Sequence, residues 1–550
     1  MPGYLKSKAP EEFVNEIQRW EDRSNLCYES LELLTEPRDR AIWAVLVECI
    51  RRLEEIIPTK PPGTFGLQAA GMNLARSACL LIDWIIQHGQ GKDVPTSRFR
   101  WNDRLARAAN IALEVARHYD GFRSCFPAWH RDRNLAEITG PQKIKFTATG
   151  GVNARRVSAF QKGLRPSSVS LAKPSPSLDI TPELADKLSG TLRSAKPDGN
   201  LGFRYGEPID LYRYAAKLYT PRVDSVYRRL GNLSLGQYSI DELKNFHQCL
   251  LAICALHEHL CFRWGIESSN YPFDSSVLVK TCRRWVDLVN NIGGLSPKTI
   301  RAILSDLTMP ATEPFDLHVH PFVTTGPNSA HLAVAPHFLI SSNVEENMLR
   351  VCSRRDRRIY DVLSQSKEDE QRDDLKEACE GRYKVIGPRR LPDGLPNLDL
   401  ALEDGGSSTF AVIELKWLRQ PLYFRERISH DEEIQSGLRQ LRKIEEFLRS
   451  RPTFLKDCGA SASLSDFAEV HFFLLARDHF IWSDPTLDYP IIEHESLKEI
   501  VRRAPHLSSA MAEMLRFDWL PVENQDFIVR YESSVANGVY IESEIFLAAA

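Results

Sequence analysis

The chain has 550 residues, too many for one hydrophobic core, so we expect about three domains. Its composition is that of a globular protein, with 43% hydrophobic and 26% charged residues, and the net charge of −3 excludes a globally basic nucleic-acid binder. Eleven scattered cysteines without a Cys-x-x-Cys pair, and the lack of an apolar run at the N-terminus, predict a reduced, cytoplasmic protein that does not span a membrane.

The first part of the sequence predicts helices. Apolar residues recur every three to four positions over 39–57 and 67–86, which is the spacing of an amphipathic helix. The stretch 165–177 is rich in Pro and Ser, as linkers and exposed loops are. We therefore predict a helical domain at 1–150, a Pro/Ser-rich linker or loop region at 151–200 and a second helical region at 201–335.

The remaining residues, 336–550, predict a C-terminal α/β domain. Runs rich in β-branched and aromatic residues predict strands at 410–418 and 468–476, and an amphipathic pattern predicts a helix at 431–449 between them. The Asn-Gly pair at 537–538 predicts a hairpin turn within a strand-rich C-terminal extension.

The strand FAVIELKWL carries two charges, Glu414 and Lys416, on one face. Upstream, LDLAL predicts a second short strand, and EDGGSS supplies residues typical of a turn. A turn centred between Gly406 and Ser407 places Asp399 opposite Glu414, and opposed residues share a face. The other face of the hairpin is apolar and comprises Leu398, Leu400, Leu402, Ala411, Ile413 and Leu415.

Two carboxylates and an amine on one face indicate metal chemistry. Like charges placed opposite each other destabilise a hairpin, and a divalent cation held by hard oxygen ligands removes that penalty. The metal lowers the pKa of a bound water, and the amine of Lys416 can orient or deprotonate that water or stabilise charge on a phosphate. Together these groups predict a phosphodiesterase.

The spacing of Asp399, fourteen residues and then Glu414-Leu415-Lys416 resembles the PD-(D/E)xK nuclease superfamily over about residues 340–480. The resemblance implies a restriction-endonuclease-like fold with a mixed sheet flanked by helices. It also implies Mg²⁺ or Mn²⁺ held by Asp399, Glu414 and the Leu415 carbonyl, with Lys416 as a catalytic residue. The sequence departs from the pattern in one respect, since Leu398 precedes Asp399 where the family has Pro.

Members of the superfamily often add a glutamate from the preceding helix and a glutamine from the following one. Between the neighbours Glu345 and Glu346, helical phase places Glu345 at the edge of an apolar arc, and we expect it to assist the metal. On the following helix the candidates are Gln435 and Gln440, which flank an apolar stripe.

Positive charge is concentrated near the proposed site. Arg439, Arg442 and Lys443 extend a basic surface of the predicted helix, as contacts with phosphates require. The expected partner is nucleic acid, with DNA favoured, and the helical regions would bind it, a partner protein or a second copy of the chain. A long sensing region joined to a nuclease suits an effector of prokaryotic defence or restriction, by analogy.

Three other interpretations compete with a nuclease. Glu414 and Lys416 could form an ion pair on a solvated strand face, as is common. The fold could serve as a non-catalytic module that binds nucleic acid or protein. The pair His318 and His320, in HVH, could belong to a His-centred metallohydrolase, although alternation with Leu317 and Val319 favours an ordinary strand.

Overall fold

The computed structural model describes most of the chain. The described residues are 3–56, 65–89, 99–149, 151–161, 181–198, 202–226, 234–268, 271–310, 317, 319–325, 330–340, 350–351, 357–392, 394–418, 424–477 and 489–549.

The N-terminal region packs four long helices together: α1 Glu11–Ser24, α2 Arg38–Ile56, α3 Phe65–His88 and α4 Asp103–Trp129. The helices predicted at 39–57 and 67–86 are confirmed by α2 and α3. Helix α2 lies at the centre, and its residues 41–50 are all buried. The buried carboxylate of Glu48 is neutralised by Arg51 and Arg52, as a buried charge requires.

A four-stranded sheet joins this region to the end of the described chain. Strands β1 Asn134–Gly140 and β2 Lys143–Ala148 form a hairpin, so residues 1–150 are not purely helical. The last two strands of the described chain, β13 Phe527–Ala536 and β14 Val539–Ala548, form the predicted Asn-Gly hairpin. Strand β14 pairs in parallel with β2, and the sheet order is β1-β2-β14-β13.

The middle region surrounds a buried helix, α9. Its helices are α5 Gly151–Gln161, α6 Pro182–Arg193, α7 Ile209–Leu218, α8 Thr220–Val226, α9 Ile240–Ser268, α10 Phe273–Ser276, α11 Cys282–Gly293, α12 Pro297–Leu307 and α13 Pro336–Ile340. Its strands are β3 Lys196–Pro197, β4 Phe203–Arg204, β5 Leu278–Thr281, β6 Val323–Thr325 and β7 His331–Val334. Of the helices described, α9 alone has the length and apolarity of a membrane span, and 61% of that window is buried inside the protein.

The stretch predicted as a linker or loop, 151–200, contains two helices. Helix α5 packs near β2 and β14, and α6 begins at Thr181, whose side chain caps the amide of Leu184. The Pro/Ser-rich residues 165–177 lie outside the described residues.

The C-terminal region is built around a five-stranded mixed sheet. Its elements are α14 Arg357–Cys379, β8 Lys384–Ile386, β9 Leu400–Asp404, β10 Thr409–Trp417, α15 Phe424–Ser450, α16 Phe454–Asp457, β11 Glu469–Arg477, β12 Ile491–Glu493, α17 His494–Arg503 and α18 Leu507–Leu515. The strand order is β12-β11-β10-β9-β8; β8, β9 and β10 are antiparallel, and β10, β11 and β12 are parallel. The predicted strands and the helix between them are confirmed, and the chain is a mixed helix and sheet protein.

Candidate active site

The register of the β9–β10 hairpin is the predicted one. Ile413 pairs with Leu400, so the next opposed positions are Glu414 and Asp399. The turn fixes this register, because the Asp404 carboxylate accepts a hydrogen bond from the amide of Gly406 at 2.8 Å. The sequence was therefore sufficient to place the two carboxylates opposite each other.

Strand β10 is buried on both faces, which the sequence did not predict. All residues of β10 except Lys416 are buried, and Glu414 is only 2% exposed. Its flanking strands β9 and β11 and helix α15 surround it. Glu414 and Lys416 do form an ion pair, but the interpretation that it lies on a solvated strand face is wrong, because that face is buried.

The contacts of the three predicted residues hold them close together. Asp399 accepts a hydrogen bond from the Leu415 amide at 3.0 Å, and Lys416 Nζ lies 2.6 Å from Glu414 Oε1. The other oxygen of Glu414, Oε2, is buried and has no hydrogen-bond partner in the described chain. An unsatisfied carboxylate oxygen on the residue opposite Asp399 is what a divalent cation would bind.

Helix α14 contributes a further carboxylate, Glu368, that the sequence analysis missed. The charges of Lys416 and Asp399 both act on Glu368, and Arg372, one turn on, acts on Glu368 and Asp399. The helix buries Gln371 and Leu375, three and seven residues after Glu368. This spacing of three and seven residues, typical of one face of a helix, was the signal in the sequence that could have placed Glu368 on the buried face. The predicted assistant, Glu345, and its neighbour Glu346 lie outside the described residues.

The electrostatics indicate a site short of positive charge. Burial, together with the charge of Asp399, raises the pKa of Glu414 to about 7. Burial also raises the pKa of Glu368 and of Asp399. Burial opposes the charge on Lys416, but Glu414 outweighs it and raises the pKa of the amine. Lys416 is therefore protonated at neutral pH, and it suits charge stabilisation better than proton abstraction.

We expect the stability of the chain in EDTA to depend on pH through Glu414. The folded state raises this pKa from 4.5 to about 7, so the group stabilises the fold below pH 4.5 and loses that contribution as pH rises through 7. The measurement is the melting temperature of the parent minus that of Glu414→Gln, between pH 5 and pH 8. This difference should fall with rising pH, and a constant difference would contradict the assigned environment.

Helix α15 covers Lys416 at a glycine. A Cβ on Gly437 would lie 2.9 Å from Lys416 Cε and 2.6 Å from Leu474 Cδ1. Among the predicted glutamines, Gln440 follows one turn later, and its Oε1 is buried with no hydrogen-bond partner among the described residues, whereas Gln435 is exposed. Gln440 is therefore partly buried on the helix that covers Lys416 and Gln435 is exposed on it, and their catalytic roles stay predictions.

The close approach of Gly437 makes Gly437→Ala a test of the position of Lys416. The added methyl costs about 1–3 kcal/mol in overpacking, and alanine returns about 1 kcal/mol in helix propensity, so the melting temperature should fall by at most several degrees. Any Mg²⁺-dependent activity should fall tenfold or more, because Lys416 must move. The matched control is Gly190→Ala in α6, where a Cβ meets nothing within 4 Å. Equal activities of the two variants would contradict this packing.

The groups that could hold a metal are Asp399, Glu414 and the Leu415 carbonyl. The side chains of Glu368, Asp399 and Glu414 do not bring three ligand atoms within 4.8 Å of one another. Within the described chain, three ligand atoms from acidic, histidine or cysteine side chains come within 4.8 Å of one another only in another cluster, around Asp374. Glu368 would therefore act through a coordinated water or after a rotamer change. The unpaired Glu414 oxygen and the raised carboxylate pKa values fit a divalent cation.

The alternative histidine site is not assembled by the described residues. His318 lies outside them, and His320 is buried outside any strand and in no group of three potential metal ligands. The predicted nucleic-acid residues Arg439, Arg442 and Lys443 are all exposed on α15.

No family model matches the sequence, no curated protein matches it, and no solved structure matches the fold. The site therefore has to be interpreted from its own chemistry.

Proposed function

We propose that the chain is a Mg²⁺- or Mn²⁺-dependent nuclease of the PD-(D/E)xK type, with a restriction-endonuclease-like C-terminal domain. The observation that carries the proposal is the buried Glu414, whose Oε1 contacts Lys416 and whose Oε2 is unpaired beside Asp399. A buried carboxylate pair with one lysine is costly as a purely structural feature, and it suits the binding of a metal and a phosphate.

The topology agrees with the proposal. A helix, α14, precedes the antiparallel strands β8, β9 and β10, and α15 then crosses to the parallel strand β11. The mixed sheet is flanked by helices, as the resemblance implies. The carboxylates come from three different parts of this unit, since Glu368 lies on α14, Asp399 precedes β9 and Glu414 lies on β10.

Each side chain has a role that its environment permits. A bound Mg²⁺ would neutralise the carboxylates and lower the pKa of a coordinated water. Asp399 is oriented by the Leu415 amide, and Glu414 is oriented by Lys416. The protonated Lys416 stabilises the charge that grows on the phosphate as water oxygen bonds to phosphorus and the bond to the leaving oxygen breaks. The proton of the water passes to solvent.

The docking surface follows from α15. Arg439, Arg442 and Lys443 are exposed on α15, on the face opposite the one where Gly437 packs on Lys416, so a nucleic-acid backbone bound there would have to pass around the helix to reach the site. DNA is the favoured substrate. The assignment to prokaryotic defence, the cytoplasmic location and a partner bound by the helical regions stay predictions.

Charge reversal at Arg439, Arg442 and Lys443 together should weaken DNA binding and flatten its salt dependence. Each phosphate contact releases condensed counterions from the DNA when the protein binds. Losing three contacts should therefore reduce the magnitude of the slope of log K against log salt concentration by up to about 2–3 units. The measurement is a binding titration at several salt concentrations in Ca²⁺ or EDTA. Lys416→Ala should bind like the parent. An unchanged slope in the triple variant would exclude this helix as the docking surface.

The test of the proposed function is incubation of the purified chain with plasmid DNA, linear DNA and single-stranded RNA in Mg²⁺, Mn²⁺ or EDTA. We expect metal-dependent cleavage of DNA that Lys416→Ala lacks. Binding without cleavage in every metal would favour the non-catalytic module. Cleavage that survives Lys416→Ala would point to a contaminating nuclease or to another site.

A further inference from the structure

A second cluster of ligand atoms lies where α14 meets the start of α17. His494 Nε2 lies 3.7 Å from Asp374 Oδ2 and 3.9 Å from Glu495 Oε1. The three ligand atoms are all within 4.8 Å of one another, and no other group of three meets that criterion among the described residues. Asp374 and His494 are buried, and Glu495 is 56% exposed, which leaves the cluster open to solvent on one side.

The imidazole of His494 is the unusual member. Its side chain is 0% exposed, yet neither ring nitrogen has a hydrogen-bond partner in the described chain. Leaving a buried polar group unpaired costs about 1–3 kcal/mol. The two carboxylates toward which Nε2 points are too distant to accept a hydrogen bond from it.

These separations fit a metal ion better than a hydrogen bond. Bonds of about 2.0–2.2 Å from zinc to nitrogen and oxygen place tetrahedral ligand atoms about 3.3–3.5 Å apart. The distances of 3.7 and 3.9 Å need a contraction of about half an ångström. The exposed carboxylate of Glu495 can move to shorten the longer distance, and the distance between His494 and Asp374 needs a change of only a few tenths of an ångström.

A competing cation already touches the same oxygens. Lys498 Nζ lies 3.0 Å from the Glu495 carboxylate and 3.5 Å from Asp374 Oδ2, and Arg477 Nη1 lies 3.7 Å from Asp374 Oδ2. The ammonium of Lys498 ends a flexible chain and can withdraw to solvent. A dication and Lys498 would therefore compete for these carboxylates.

We propose that Asp374, His494 and Glu495 form a binding site for a transition-metal dication, with Zn²⁺ as the ion that fits best. An imidazole ligand selects Zn²⁺ over Mg²⁺, whereas the all-oxygen site at Glu414 suits Mg²⁺. The bound ion ties α14 to α17, two helices separated by more than a hundred residues in sequence. This site is independent of the proposed nuclease function.

The experiment is a titration of the chelator-treated full chain with Zn²⁺ alone, in competition with a chromogenic chelator. The parent chain in this experiment and all variants made from it carry Glu414→Gln, which removes the proposed Mg²⁺ site. We expect one equivalent of Zn²⁺, lost in His494→Gln and at least tenfold weaker in Glu495→Gln. Lys498→Met should bind Zn²⁺ several-fold more tightly, because the competing ammonium is gone. Zn²⁺ should also raise the melting temperature of the parent.

The matched control is His471→Gln, which alters another histidine that lies near a carboxylate, Glu469, 3.4 Å away. It should bind Zn²⁺ like the parent. Equal Zn²⁺ affinity in the parent, Glu495→Gln and Lys498→Met would overturn the proposal, as would no binding at micromolar free Zn²⁺. If His494→Gln fails to fold, the Zn²⁺ affinities of Glu495→Gln and Lys498→Met still decide the result.

Discussion

Glu414→Gln is expected to reduce Mg²⁺-dependent cleavage by at least two powers of ten while the chain stays folded. The substitution keeps the size of the side chain and removes the charge that a metal needs, and each power of ten corresponds to about 1.4 kcal/mol of barrier. In EDTA at pH 8 the variant should melt at the same temperature as the parent or higher, because burying Glu414 as an anion is costly.

Asp399→Asn should have the same effect on cleavage. Asparagine keeps an oxygen that can accept the hydrogen bond from the Leu415 amide, which alanine would leave unpaired. The measurements are single-turnover cleavage and a thermal melt, and the control is Glu446→Gln, an exposed carboxylate on α15. A large drop in melting temperature in both site variants would show that the carboxylates are structural, and the metal site would be wrong.

Glu368→Gln is the second large expected effect. Glu368 faces the charges of Lys416 and Asp399, so its loss should lower cleavage by one or more powers of ten. The reduction should be smaller than for Glu414, because Glu414 contacts Lys416 directly and Glu368 is expected to act through a coordinated water. Raising the Mg²⁺ concentration should recover part of the activity if Glu368 helps to hold the ion through water.

The matched control for Glu368 is Glu377→Gln, an exposed residue of the same helix. It should leave cleavage unchanged. Because both variants replace a glutamate of α14 with glutamine, the change in helix propensity and in net charge is the same in the two. If Glu368→Gln cleaves like Glu377→Gln, helix α14 does not serve the site, and Asp399, Glu414 and Lys416 act without it.

Local chemistry made the hairpin of the candidate site predictable. The turn residues and the alternation of apolar residues determine one register, because a slip by one residue would bury the opposite face. The same reasoning predicted the turn at Asn537 and Gly538, where both residues have positive φ angles, 47° and 77°. In both cases the decisive residues are neighbours in sequence.

Tertiary packing was harder to predict. Alternation in β10 suggested one open face, but α15 covers it through Gly437, and a glycine in a helix gives no such signal by itself. Glu368 was missed because α14 is highly charged and its buried stripe includes the polar Gln371 and Asp374. Periodicity that counts only apolar residues does not detect a stripe of that kind.

The parallel pairing of β14 with β2 has a consequence for the synthesis of the chain. About 400 residues separate the paired strands, as in the pair of Lys143 with Tyr540. At about 5–20 residues per second, β2 leaves the ribosome roughly 20–80 s before its partner is made. During that interval one edge of β2 has no β14 to cover it, and an open strand edge invites association with other chains. The N-terminal sheet is therefore completed only when translation has passed the C-terminal hairpin, and a prematurely terminated chain would keep that edge exposed.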